Sequence, residues 1–145
     1  MANTRSTIPV LLPALAAIGL AACSSTPDTI LESDVPLPPG LAVRASSDVA
    51  RTEGQLSGGF FLLYGEIDDP IRLGAETRSR FLTAGWQGIV TYESPHLVRL
   101  AFTKGRREAK VELVSRRIDP MMSSGSVRLA ESVPAGSPTA AADER

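Results

Sequence analysis

Between Gly88 and Val114 apolar residues recur at every second position in three short runs separated by turn residues, which commits this region to antiparallel strands. Leu97 to Thr103 places Val98, Leu100 and Phe102 on one face and Arg99, Ala101 and Thr103 on the other. Glu108 to Val114 repeats the pattern with Ala109, Val111 and Leu113 facing inward, and Gly88 to Glu93 alternates Val90 and Tyr92 against Ile89 and Thr91. Ser94, Pro95 and His96 make the first turn; Lys104, Gly105, Arg106 and Arg107 make the second. Because the intervening positions are polar, one face of this meander is expected to remain at least partly wet.

Upstream, Gln55 to Ile67 carries the run Phe60, Phe61, Leu62, Leu63, Tyr64 between glycines, as a core strand would. Leu41, Val43 and Ala45 suit a short first strand, with Ser46 to Gly54 as a loop. Asp69 and Pro70 start a helix: the carboxylate accepts a bond from an orphan backbone N–H, and proline is tolerated in the first turn. Ile71, Ala75, Leu82 and Gly85 recur at helical spacing, with Arg78 laying its stem across the sheet. Gly74 weakens the first turn by up to about 1 kcal/mol. Gly85 suits a left-handed cap, with Trp86 folding back onto Phe81. The expected fold is α+β, a small antiparallel sheet of four to five strands with one helix packed on one face, flanked by disordered tails.

The globular part is expected to span 35–118. Before it, residues 23–34 are rich in Ser, Thr and Asp and read as a tether, and Val35 to Gly40 forms a polyproline-like lead-in. After it, 119–145 is rich in Met, Ser, Gly, Pro and Ala and is expected to be disordered, Val127, Leu129 and Val133 offering at most one edge strand.

The N-terminus has the order of a secretory signal: Arg5, an apolar stretch from Ile8 to Leu20, then Ala21 and Ala22 before Cys23. A membrane span needs about 20 predominantly apolar residues, whereas this stretch is shorter and holds Pro9, Pro13 and Gly19. The run Leu20, Ala21, Ala22, Cys23 resembles the lipobox of bacterial lipoproteins. That resemblance implies cleavage of residues 1–22, a diacylglyceryl thioether on Cys23 and acylation of its new amine. Each buried methylene contributes about 0.8 kcal/mol, so two or three chains anchor stably where one does not. In a Gram-negative cell Ser24, in place of an aspartate, implies sorting to the outer membrane, facing the periplasm. Cys23 is the lone cysteine, so no intrachain disulfide holds the fold. Changing Cys23→Ala should leave an uncut precursor and abolish lipid attachment; an unchanged mass and membrane fractionation would remove the lipoprotein reading.

A looser likeness covers the globular part. The segment VPLPPG, a glycine-bounded apolar strand, a helix closing on Gly85 and Trp86, and the hairpin with Phe102, Thr103, Lys104 and Gly105 are similar in layout to small exported bacterial domains of unassigned function. The likeness implies the strand, helix, strand, strand order and no functional residue.

Few residues suit catalysis or metal binding. His96, the one histidine, falls in a turn without a packed carboxylate beside it. Glu66, Asp68 and Asp69 fall short of the six or more oxygen ligands that calcium takes, and capping accounts for Asp69. No phosphate-binding glycine loop precedes a helix, one histidine and an acylated cysteine make a poor zinc site, and no cofactor is expected.

Removing residues 1–22 takes Arg5, leaving fourteen Lys and Arg against sixteen Asp and Glu, so no global charge attracts a polyanion. Locally, Arg99, Lys104, Arg106, Arg107, Lys110, Arg116 and Arg117 surround one hairpin, against Glu108 and Glu112. They suit contact with an anionic lipid surface or an acidic envelope protein, or protection of a sheet edge against aggregation. Aromatic residues are not interleaved with them, which argues against nucleic acid. The expected function is a membrane-anchored, non-enzymatic binding or structural module of the cell envelope. The alternative is a small-ligand-binding or accessory subunit of an envelope enzyme complex, with its pocket between helix and sheet near Tyr64, Trp86 and Tyr92.

Overall fold

The computed structural model describes residues 28–116 and 123–132; Cys23, the signal segment and Arg117 lie outside these. Six strands, β1 (Ala42–Thr52), β2 (Gln55–Tyr64), β3 (Gln87–Ser94), β4 (Leu97–Lys104), β5 (Arg107–Val114) and β6 (Ser124–Glu131), form one antiparallel sheet in the order β1-β2-β6-β5-β4-β3. A single helix, α1 (Pro70–Thr83), packs on it.

The alternation in β4 and β5 is realised as read: Val98, Leu100, Phe102, Ala109, Val111 and Leu113 are all buried beneath the helix side. Phe61 and Leu63 of β2 and Val127 and Leu129 of β6 continue the same inner face. Among the described residues no helix lies on the outer face.

Three expectations about extent are corrected. The sheet has six strands rather than four to five, because Ser124–Glu131 lies in its middle, paired to β2 on one side and β5 on the other. This stretch was expected to belong to a disordered tail, and its inner face shows only Val127 and Leu129 as large apolar residues. Its third inner position is Gly125, where a Cβ would come within 3.0 Å of Leu41 and 3.3 Å of Leu63, so a small residue is what allows the covering segment to sit down on the sheet.

Next, β1 runs through Ser46 to Thr52 instead of looping out. Those side chains are exposed, and the strand is held by pairing with β2, with irregularities at three places along the register. Glu53 and Gly54, both at positive φ, make the two-residue hairpin turn that suits the twist of the strands.

Finally, the folded domain starts by residue 28, inside the expected tether. Ile30, Val35, Leu37 and Leu41 are buried beside α1, and the strap they form is closed by Ile30 N–H to Val35 O and Leu37 N–H to Asp28 O, both 2.9 Å.

The helix ends are as the sequence implies. Asp69 accepts from the N–H groups of Ile71 and Arg72 at 3.0 Å, Pro70 opens the first turn, and Gly85 at φ 82° leads into Trp86, whose N–H returns to Phe81 O at 2.9 Å. The buried stripe differs. It is Pro70, Leu73, Gly74, Thr77 and Phe81, while Ile71, Ala75, Arg78 and Leu82 face solvent. Thr77 tolerates burial because its hydroxyl donates to Leu73 O at 2.7 Å, and Gly74 lets the helix approach Val98, which a Cβ would meet at 2.8 Å.

Candidate functional site

Register decides what the basic residues do. Arg99 and Lys110 point to the open outer face, whereas Lys104 and Arg107 point to the helix side, so the described cations do not form one patch. Arg107, expected in a turn, is the first residue of β5 and only 8% exposed. The β4–β5 hairpin is also interior to the sheet, whose edges are β1 and β3, so its charges guard no edge.

Lys104 and Arg107 converge on Asp34 of the strap. The Arg107 guanidinium donates to both carboxylate oxygens at 2.7 Å and to Leu56 O at 3.0 Å. Lys104 Nζ donates to Asp34 at 2.9 Å and to Ala84 O at 2.7 Å. The Trp86 indole N–H donates to Asp34 O at 3.0 Å, with the Arg107 guanidinium 5.0 Å from the ring centre. The hydrogen bonds from Arg107, helped by Lys104 and only partly opposed by burial, hold the Asp34 carboxyl well below the usual carboxylate range. The same bonds raise Arg107. This cluster ties strap, helix end, β2 and β5 together and is structural.

At the hairpin tip, Arg106 lies 3.7 Å from Glu131 and is otherwise in solvent. Arg116 is exposed at the opposite end of β5.

The open face is concave. A trough of about 450 Å³ crosses it from β2 to β3, with Phe60, Arg99, Ala101, Lys110, Ser126 and Arg128 among its walls and floor. Arg99 pairs with Glu112 at 2.6 Å and Lys110 with Glu108 at 3.2 Å. Arg128 lies 5.7 Å over the Phe60 ring, and among the described residues no carboxylate reaches it. Tyr64, Ile89 and Tyr92 add exposed apolar surface, with Arg99 5.8 Å over the Tyr92 ring. Phe60 and Arg128 are the residues of this face that the sequence did not single out. Each is the odd partner of an alternating pair flanked by buried residues, which is the signal that marks them.

The expected ligand pocket between helix and sheet does not form from its named residues. Trp86 is buried and fully engaged, while Tyr64 and Tyr92 stand on the opposite, open side. His96 is exposed in the turn joining β3 and β4. Among the described residues no three His, Cys, Asp or Glu side chains gather as a metal site, and no helix is long and apolar enough to cross a membrane. Comparison of the chain with protein-family models, curated proteins and solved structures finds no match.

Proposed function

We propose that the chain is a lipid-anchored module of the cell envelope that works by binding, presenting the open face of its sheet to a partner protein. The observation that carries this reading is the asymmetry of the sheet: strap and helix cover one face, and the other is left concave, with aromatic and basic groups around the trough. Large apolar side chains in water at such a place mark interaction surfaces. Arg128 over Phe60 supplies a flat cationic and aromatic contact suited to an acidic side chain beside an apolar one.

The lipobox residues support anchoring at Cys23, which places this face close to other envelope components. Of the seven basic residues, Arg99 and Lys110 take part, while Lys104 and Arg107 serve the fold.

The second reading, a small ligand on an accessory subunit, is favoured by one feature. The trough volume of about 450 Å³ falls within the range of small-molecule sites.

A photo-crosslinking residue placed at Ser126, in cells, followed by mass spectrometry tests the proposal, with Glu53 at the far β1–β2 turn as the control position. A protein adduct from Ser126 and none from Glu53 is expected, weakened when Lys110 and Arg128 become glutamine. Equal labelling from both positions, or no protein adduct from Ser126, would overturn it.

A further inference from the structure

The strap begins beside the helix, on the side of the sheet away from the trough. Leu37 N–H to Asp28 O at 2.9 Å and the bridge between Thr29 and Pro36 tie it down from residue 28 onward. Asp28 is itself held by Arg80 at 3.1 Å and lies with Ser79 and Thr83 around one surface hollow. The buried stripe of α1 is Pro70, Leu73, Gly74, Thr77 and Phe81, so helical periodicity puts Ser79 on the opposite side, pointing away from the sheet. Toward its N-terminus, the chain therefore leaves the domain from the helix layer.

Asp28 comes five chain steps after Cys23. At no more than about 3.6 Å per step, those five reach at most about 18 Å in any conformation. α1 and the sheet are two layers, each about 10 Å thick, so the outward side of the helix and the rim of the trough are about 20 Å apart. With Cys23 held at the membrane surface by its acyl chains, laying the trough on that membrane would lift Asp28 by this thickness. The connecting chain would also have to skirt the edge of a sheet whose strands lie about 4.8 Å apart. Five steps are too few.

We infer that the mature protein sits with α1 and the strap toward its anchoring membrane and opens the trough away from it, to a protein that approaches from the aqueous side. The inference rests on the proposed lipid at Cys23 and deepens the binding role: it excludes the anchoring membrane's own headgroups as the group that Arg99, Lys110 and Arg128 meet. Electrostatics alone would not choose this orientation. On the helix layer Arg72 pairs with Glu76 at 2.8 Å and Arg80 with Asp28 at 3.1 Å, whereas Arg128 lies over Phe60 on the open face. A near-surface cation gains about 1 kcal/mol at an anionic membrane, but a covalent chain cannot lengthen to let Arg128 collect it. The tether decides.

The test uses the full lipidated chain in vesicles of phosphatidylethanolamine and phosphatidylglycerol, so that no partner protein is present. A benzophenone side chain is placed at Ser79 or at Ser126, and lipid adducts are read by mass spectrometry. Lipid adducts from Ser79 and none from Ser126 are expected. An insertion of about twenty Gly and Ser residues between Ser24 and Ser25 makes a long flexible tether and should cut the Ser79 adducts several-fold. Ser126 adducts at the level of Ser79, no adduct from Ser79, or Ser79 adducts indifferent to the insertion would each refute the orientation. The mass of the mature N-terminus separates the two readings. A chain without lipid on Cys23 removes the anchor and this inference with it, while a lipidated chain with the adducts reversed removes the orientation alone.

Discussion

Trp86→Ala is expected to remove about 3 to 5 kcal/mol of stability, the loss for truncating a buried large aromatic. The ring is 1% exposed, meets the edge of Phe81 at 5.8 Å between centres, and holds the strap through its bond to Asp34 O. Truncation opens a cavity where helix end, strap and sheet meet, and it leaves the Asp34 carbonyl short of a donor. For a domain whose whole stability is in the range of about 5 to 15 kcal/mol, the variant should unfold at much lower urea concentration than the wild type. An unchanged urea midpoint for the full chain would show that the strap and helix end are not joined in this way.

Asp34→Asn is the second large effect. It leaves the Arg107 guanidinium buried with one neutral oxygen in place of a carboxylate, and should destabilise by about 2 to 4 kcal/mol, less than for a fully buried pair because 33% of the Asp34 side chain remains in water. The sign of the pH dependence follows from the lowered carboxyl. The stabilisation is present in full above the unfolded value of 3.8 and falls away as the pH drops below it toward the depressed folded value. Urea midpoints compared at neutral pH and near about pH 3 should therefore fall further for the wild type than for Asp34→Asn. Parallel pH dependences in the two proteins would remove Asp34 from the account of acid sensitivity.

What the sequence made legible was local. Asp69, Pro70 and Gly85 act on backbone groups within a few residues, and the helix ends could be read from them. The inner residues of β4 and β5 were visible because each strand buries one face only. Asp34 was read as part of a polar tether because its partner Arg107 is 73 positions away and nothing nearby hints at the pair. The buried stripe of α1 was missed for a related reason: Gly74 and Thr77 look unsuited to a core until Val98 and the Leu73 carbonyl are seen against them. The open face was half legible. Alternation gave Arg99 and Lys110 their side of the sheet, but Phe60 and Arg128 join them only through the placement of β6.

The position of β6 also sets the order in which the molecule can be completed. Strands β1 and β2 form one hairpin, β3 to β5 form a separate meander, and no ladder joins the two until β6 pairs with both. The closing pairs are distant in the chain, Phe61 with Val127 for example, and such non-local closure is slow because the loop must be fixed before the contacts return any stabilisation. A nascent or translocating chain that lacks Ser124–Glu131 therefore carries two half-sheets whose facing edges, β2 and β5, are both unpaired. If the chain is exported as its proposed lipid anchoring requires, β6 is the last of the described strands to emerge, and it is the one that makes the sheet whole.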